Sequence, residues 1–267
     1  MNGEEGRHST LGRPRMLRPP ARVLLASVLA ALALPAAAAC APGPAGRVAE
    51  AAASPSAARP TAPDSASPAS TLTQEQAQKA LLTEADLGPA WGPTQGAATW
   101  RDGVLKAWTE TPECQRLLEA LYTEEPLGAP SGTHAVAAFD DRYGGAQLRH
   151  QVLALRAEDV DRALAWLGTL PQTCSRFTAT TTRSGVQNIQ VMDLALPEVG
   201  DARRGLRVTF TGASGTLTFD LAAVRLGDDA VVLTTGTLGT LPGDAAESLR
   251  KSVDRLTEVR SQERLQA

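Results

Sequence analysis

The chain has few of the residues that most often bind metals or carry out catalysis. It contains three histidines and three cysteines in 267 residues, and aromatic residues make up only 4% of it. His134 and His150 are the only histidines beyond the N-terminal region, and two histidines without a third ligand at fixed spacing make a poor zinc site. No EF-hand spacing and no Gly-rich phosphate loop after a strand is present. The sequence therefore predicts neither a bound metal nor a cofactor.

Motifs of common enzymes and of nucleic-acid binding are also missing. The nucleophile elbow of serine hydrolases needs Gly-x-Ser-x-Gly, but Thr216 stands where the segment beginning at Gly212 would need its last glycine. We interpret this segment as a hairpin turn. The formal net charge is −3, and no basic stripe indicates a nucleic-acid partner. These observations favour a protein that is not an enzyme.

The N-terminal forty residues have the three parts of an export signal. Five arginines precede an apolar run, Val23–Leu34, which is followed by small residues up to Cys40. A basic head, a short apolar core and a small-residue cleavage site define a signal peptide. The apolar run is too short to span a membrane, which requires about 20 residues. We predict a signal over residues 1–39.

Cys40 stands where bacterial lipoproteins carry their lipidated cysteine. The segment Ala37–Cys40 resembles a lipobox, although Ala37 occupies the −3 position, where leucine is usual. The prediction is a protein anchored to the extracytoplasmic face of the membrane through lipid on Cys40, because two acyl chains anchor stably where one does not. Secretion after cleavage behind Ala39, or an uncleaved anchor, remain alternatives.

Composition divides the rest of the chain into two parts. Residues 40–71 are mostly Ala, Pro and Ser, a composition that cannot bury a core, and we predict a disordered tether. Residues 72–267 have the length of one ordinary domain. With Cys40 assigned to lipid, Cys114 and Cys174 remain as an even pair, which in an exported chain favours a disulfide over two free thiols.

The fold class that the pattern predicts is α+β, a single domain with an antiparallel sheet covered on one face by helices. Helices are predicted from Thr73 to Leu82, after Thr83, from Pro112 to Tyr122, from Glu158 to Thr169 with Pro171 as the stop, and from Asp244 to Val259. Strands are predicted over residues 134–141, 146–155, 177–183, 186–194, 206–211, 217–226 and 230–237. A two-residue turn at Gly144-Gly145 would pair Asp140 with Arg149 and Phe139 with His150.

Three of the four tryptophans, Trp91, Trp100 and Trp108, lie close together in the sequence. They are candidate residues for lining an apolar ligand cleft. The alternative is that they fill the core between sheet and helices.

Several segments together resemble a known family. They are LLTEADLGPAW at Leu81–Trp91, CSRF at Cys174–Phe177, LPEVGDARRGLRV at Leu196–Val208 and AAVRLGDDAVVLTT at Ala222–Thr235. In this order, after a lipobox and an Ala/Pro/Ser linker, they resemble the actinobacterial exported lipoproteins related to the PknH-like extracellular sensor domain. The resemblance implies an α+β domain with a cleft and a small-ligand or envelope-sensing role. The mycobacterial sensor domains carry two disulfides, whereas this chain can form one.

The sequence thus predicts a lipid-anchored, non-catalytic ligand-binding or sensor-like module at the cell envelope. Its expected partners are the membrane, through the lipid, and a small ligand or an envelope protein. The alternative function is a secreted or anchored envelope hydrolase whose site is assembled from dispersed residues.

Overall fold

The computed structural model describes residues 72–239 and 245–266. The predicted signal peptide, Cys40 and the predicted tether lie outside the described residues and stay predictions. The helices are α1 (Gln74–Lys79), α2 (Glu84–Leu87), α3 (Pro112–Thr123), α4 (Ala157–Thr173) and α5 (Ala245–Gln266), with a five-residue π-helix at Arg101–Leu105. None of these described helices combines the length and the apolar character that crossing a membrane requires.

Within the described residues, nine strands form one antiparallel sheet. They are β1 (Trp91–Pro93), β2 (Ala107–Trp108), β3 (His134–Asp141), β4 (Gln147–Ala154), β5 (Arg176–Thr181), β6 (Gly185–Asp193), β7 (Ala202–Gly212), β8 (Gly215–Leu226) and β9 (Asp229–Thr237). The order across the sheet is β1-β3-β4-β9-β8-β7-β6-β5-β2. The α+β class with an antiparallel sheet is confirmed. The short edge strands β1 and β2 are additions that no periodic pattern indicates.

Helices cover both faces of the sheet, so the prediction of one covered face is wrong. One core packs α3 and α4 against one face, and a second core packs α1 and α5 against the other. The reason lies in β8 and β9, which are apolar at consecutive positions. Leu221 and Ala223 enter the first core, while Ala222 and Val224 enter the second. A strand buried on both faces loses the polar–apolar alternation of a half-exposed one.

Two threonines begin the first two helices as predicted. Thr73 and Gln76 form a reciprocal capping box at α1, in which each side chain accepts a hydrogen bond from the other residue's backbone N–H. At α2, Asp86 Oδ2 accepts the Thr83 N–H at 2.7 Å. Such caps satisfy N–H groups that the helix itself leaves unpaired.

Pro171 lies inside α4, which corrects the prediction that it stops the helix. Proline removes one backbone hydrogen bond, here the one to the Leu167 carbonyl. The helix nevertheless continues for two more residues, to Thr173, and the Cys174 N–H donates to Leu170 O at 2.8 Å. Leu167 and Leu170 are completely buried, and Cys174 is bonded to Cys114 in α3. Packing and the predicted disulfide, which is present, hold the last turn in place.

The β3–β4 hairpin forms in a register shifted by two residues from the predicted one. Arg149 pairs with Ala138, and Phe139 pairs with Leu148. The connection spans four residues because the Asp141 N–H donates to Ala146 O, and the Asp141 carboxylate accepts the Gly144 N–H. Each side chain stays on its predicted face of the sheet, because a shift of two residues preserves the pleat. Arg149, however, does not pair with Asp140 as predicted.

Candidate functional site

A cleft of about 460 Å³ lies between the sheet and the start of α5. Its floor comes from β4, β7, β8 and β9, and its walls come from α2, Trp91, the segment 194–196 and the first two turns of α5. We call it the sheet–helix cleft. Its size is within the usual range for small-molecule sites.

Aliphatic and aromatic side chains form one part of the cleft. Leu148 on β4 and Leu233 on β9 line the floor, Trp91 lies on the edge strand β1, and Leu87 and Leu196 line the sides. Leu148, Leu233 and Trp91 belong to the core that α1 and α5 cover. This wall is the surface of a hydrophobic core, which suits the apolar body of a ligand.

An ion pair forms the polar part of the floor. Arg207 Nε donates to Asp220 Oδ1 at 2.7 Å, and Arg207 Nη2 donates to Asp220 Oδ2 at 2.6 Å. The Asp220 side chain is 5% exposed and that of Arg207 is 39% exposed. The side-chain hydrogen bond from Arg207 to Asp220 raises the pKa of the guanidinium. The fork-to-fork geometry fixes Arg207, and Thr235 is another polar residue of the same floor.

The rim of the cleft also carries charges that are paired with each other. Lys251 Nζ lies 2.9 Å from Glu247 Oε1 and donates to the Asp86 carbonyl at 2.7 Å. Arg255 Nη1 lies 3.2 Å from Asp86 Oδ2. Burial of Asp86 opposes its ionisation, but hydrogen bonds from Thr83 and the charges of Arg255 and Lys251 outweigh that effect and lower its pKa.

Every charged side chain that lines the cleft therefore has an oppositely charged neighbour. Asp86, Arg207, Asp220, Glu247 and Lys251 are all paired. The arrangement can still offer hydrogen bonds from the outer edge of the Arg207 guanidinium and from Thr235. Within residues 72–239 and 245–266, no three side chains of His, Cys, Asp or Glu come together as a metal site.

The three candidate tryptophans do not come together. Trp91 lines the sheet–helix cleft. Trp100 lies on the opposite face, in the other core, edge-on to Phe219 with ring centroids 6.1 Å apart. Trp108 is 58% exposed on the edge strand β2. Of the three, Trp91 keeps its place as a candidate ligand contact, and Trp100 has the position of a core residue.

The two histidines of the domain are also apart from the cleft lining. His150 is completely buried on β4, and its Nδ1 accepts the Leu82 N–H at 3.0 Å. His134 Nε2 lies 2.9 Å from Gln151 Oε1. Both have the surroundings of structural residues.

Arg207 and Asp220 are not among the predicted site residues, although the sequence holds the signal that connects them. The turn after Gly212 was identified as a hairpin, and counting outwards from the Gly212–Gly215 pair places Arg207 directly opposite Asp220. Opposite charges in directly facing positions are a recognised cross-strand pair. Nothing in that count reveals that the pair forms the floor of a cleft.

No protein-family model matches the chain, and no curated protein matches it. The solved structures that are similar to it include two from mycobacteria. The crystal structure of the extracellular domain of PknH from Mycobacterium tuberculosis has 15% sequence identity and a TM-score of 0.44, covering 72% of this chain and 99% of that one. The X-ray structure of a putative uncharacterized protein from Mycobacterium smegmatis, an Rv0999 ortholog, has 14% identity and a TM-score of 0.37, covering 70% and 100%. The first is a domain of the kind that the sequence resembles, and at these values neither similarity bears on ligand or activity.

Proposed function

We propose that this protein is a lipid-anchored extracytoplasmic module that binds an uncharged amphipathic small molecule in the sheet–helix cleft and catalyses no reaction. The observation that carries the binding proposal is the cleft itself, with an apolar wall and a floor ion pair that is fixed by two hydrogen bonds. The location rests on the export signal and on Cys40 in the sequence.

The charge of the ligand follows from the pairing of the lining residues. An ionised ligand would have to leave water and lose its hydration, which is costly unless it meets an unpaired opposite charge. Arg207, Lys251 and the lining carboxylates already have partners at 2.6–3.2 Å. An uncharged ligand avoids that cost.

The shape of the ligand follows from the division of the cleft. Leu148, Leu233 and Trp91 favour an apolar body, since burying apolar surface contributes about 25 cal/mol per Å². Arg207 and Thr235 favour a head group with hydroxyl or carbonyl oxygens. A sensor role then requires an envelope protein that distinguishes the ligand-bound module from the free one.

The anchoring part of the proposal is tested by mass and by fractionation. We expect the intact mass of protein from membranes to match a chain that begins at Cys40 and carries acyl groups. Cys40→Ala should move the protein from the membrane to the soluble fraction. A wild-type protein that is soluble, without lipid mass, would contradict the anchor and leave the cleft proposal intact.

The binding part is tested with three probes that share one chain: monooctanoylglycerol, octanoate and octylamine. We expect monooctanoylglycerol to bind saturably and to change tryptophan emission, with that change lost in Trp91→Phe. The two charged probes should bind at least about tenfold more weakly, since one unmet charge costs more than about 1.4 kcal/mol. If octanoate or octylamine bound as tightly as monooctanoylglycerol, the proposal of an uncharged ligand would be contradicted.

Matched variants locate the binding. Thr235→Val removes the hydroxyl of this residue. It should weaken monooctanoylglycerol binding roughly three- to tenfold, because that is the loss of affinity expected when one hydrogen bond to the ligand is removed. Thr211→Val, the same change at an exposed position of β7 outside the cleft lining, should leave the affinity unchanged. Ala222→Leu places extra atoms in the cleft and should abolish binding. Unaltered binding in Ala222→Leu would exclude the cleft.

A further inference from the structure

A second, much smaller cavity lies under the π-helix, on the face of the sheet opposite to the cleft. Its volume is about 20 Å³, which is enough for one water-sized occupant. Trp100 and Phe219 form an apolar wall, and Arg101, Arg149, Glu124 and Thr234 bring polar atoms to it. We call it the arginine cavity.

The lining of the arginine cavity carries more positive than negative charge. Glu124 lies between the two arginines, with Oε1 3.5 Å from Arg101 Nη1 and Oε2 2.9 Å from Arg149 Nε. The remaining lining residues are uncharged, so two guanidinium groups face a single carboxylate. A partly buried cation without a counter-charge is costly. Burial, and the nearby Arg101 charge, lower the pKa of Arg149 despite the opposing effect of Glu124.

Both arginines also have N–H donors without an aligned acceptor among the described residues. Arg101 Nε and Arg149 Nε are inaccessible to solvent, and neither donates a hydrogen bond within that part of the chain. Arg149 Nε is close to Glu124, but its N–H does not point at the carboxylate. A buried donor without a protein partner is explained by strain, by a functional role, or by a water or ion that accepts its hydrogen bond.

The surrounding structure fixes this arrangement. Glu124 has a left-handed backbone at φ 63° where α3 ends, and its carbonyl accepts the Gln151 side-chain amide at 2.9 Å. Arg101 Nη2 donates to the Tyr122 carbonyl at 2.7 Å. A non-glycine residue with this φ is uncommon and needs such support. The charges are thus positioned before any occupant arrives.

We propose that the arginine cavity binds a monatomic anion of the size of chloride, which, in addition to Glu124, contacts Arg101 and Arg149. A monatomic anion fits the volume, neutralises the excess positive charge and accepts hydrogen bonds without donating any. A water molecule fits the volume but leaves the charge unbalanced.

The experiment measures thermal unfolding of the full-length protein in chloride and in gluconate at equal ionic strength. We expect the Tm to rise with chloride and not with gluconate, by roughly 3–5 °C for each tenfold increase above the dissociation constant. Arg149→Gln should remove the chloride dependence. Arg225→Gln, which breaks pairs with Asp161 and Asp201 away from the cavity, should keep it.

A second measurement decides the question in the wild-type protein, whether or not Arg149→Gln folds. Crystals grown in bromide should show an anomalous scattering peak inside the arginine cavity, beside Arg101 and Arg149. Equal Tm values in chloride and gluconate, together with no bromide peak, would mean that the cavity holds water and would overturn the proposal.

Discussion

At the scale of single residues, burial separates side chains that look alike in the sequence. His134 and His150 both lie in strands, yet His134 is partly exposed and His150 has no exposed surface. Burial, reinforced by the charge of Arg255, lowers the pKa of His150 to about 3. A neutral ring is also required for Nδ1 to accept the Leu82 N–H.

His150 should make the stability of the domain depend on pH. The unfolded chain binds its proton near the ordinary pKa of 6.5 and the folded chain only near 3, so the unfolded state holds more protons between those values. The free energy of unfolding should therefore fall as the pH falls from 6.5 to 3, by up to about 1.4 kcal/mol per unit.

Denaturant unfolding across this range tests the His150 prediction. His150→Asn keeps an acceptor and removes the titrating group, so the slope should become shallower than in the wild-type protein. His134→Asn is the matched control, since it makes the same change at a partly exposed strand position. An unchanged slope in His150→Asn would contradict the prediction.

Gly236 shows how a missing side chain positions a large one. A Cβ at this residue would lie 2.4 Å from Trp100 Cη2, so the indole occupies the space that any other residue would fill. Gly236→Ala should reduce the free energy of unfolding by about 1–3 kcal/mol through overpacking. A Cβ at Gly103 would have its nearest neighbour at 3.8 Å, and Gly103→Ala should change stability by less than about 1 kcal/mol. Equal effects in urea titrations would contradict this role of Gly236.

At the scale of elements, local rules and packing each control different features. The capping boxes at Thr73 and Thr83 start helices where the sequence places them, because the atoms involved are three residues apart. The end of α4 is controlled by contacts between distant residues. The tendency of Pro171 to end the helix is outweighed by the burial of Leu167 and Leu170 and by the disulfide that joins α4 to α3.

Removing the disulfide should cost a large part of the stability. Cys114 and Cys174 are 60 residues apart, and closing such a loop stabilises the folded state by about 4 kcal/mol in the chain-entropy model. We expect the Cys114→Ala/Cys174→Ala protein to unfold at a clearly lower urea concentration than the oxidised wild-type protein. Both cysteines are buried, so native protein should react with thiol reductants only as fast as it opens. Equal urea midpoints would contradict the prediction.

At the scale of the whole molecule, the two cores share their central strands. Ala223 and Val232 belong to the core under α3 and α4, and Val224 and Val231 belong to the core under α1 and α5. Opening either core exposes one face of β8 and β9. The cleft, at the start of α5, depends on the same strands.

This sharing predicts that the domain unfolds in one cooperative transition. Leu167→Ala in one core and Leu249→Ala in the other should each lower stability by about 2–5 kcal/mol. In both variants the midpoints by circular dichroism and by tryptophan emission should coincide. A separate early transition of one probe in Leu249→Ala would show that the two cores unfold independently.

The sequence predicted most of the strands and helices because turn residues, caps and periodicity act over a few neighbouring residues. It also predicted the Cys114–Cys174 pair, since only two cysteines remain once Cys40 is assigned to lipid. It did not predict that β8 and β9 are covered twice, although their consecutive apolar residues are compatible with that arrangement. The hairpin register was missed because Asp141 side-chain bonds to the turn were not foreseen.

By itself the sequence determined the class of the fold, and it predicted an export signal and a lipid site at Cys40, because all three depend on composition and short-range order. Only the tertiary structure decided the position of the functional groups. In the structure the sheet lies between Trp91 and Trp100. Arg149 forms an ion pair with Glu124 instead of the predicted cross-strand pair with Asp140. The tertiary structure also placed the Arg207–Asp220 pair under α5. These are contacts between residues far apart in the chain, and they form only when the strands have paired and the helices have packed on the sheet.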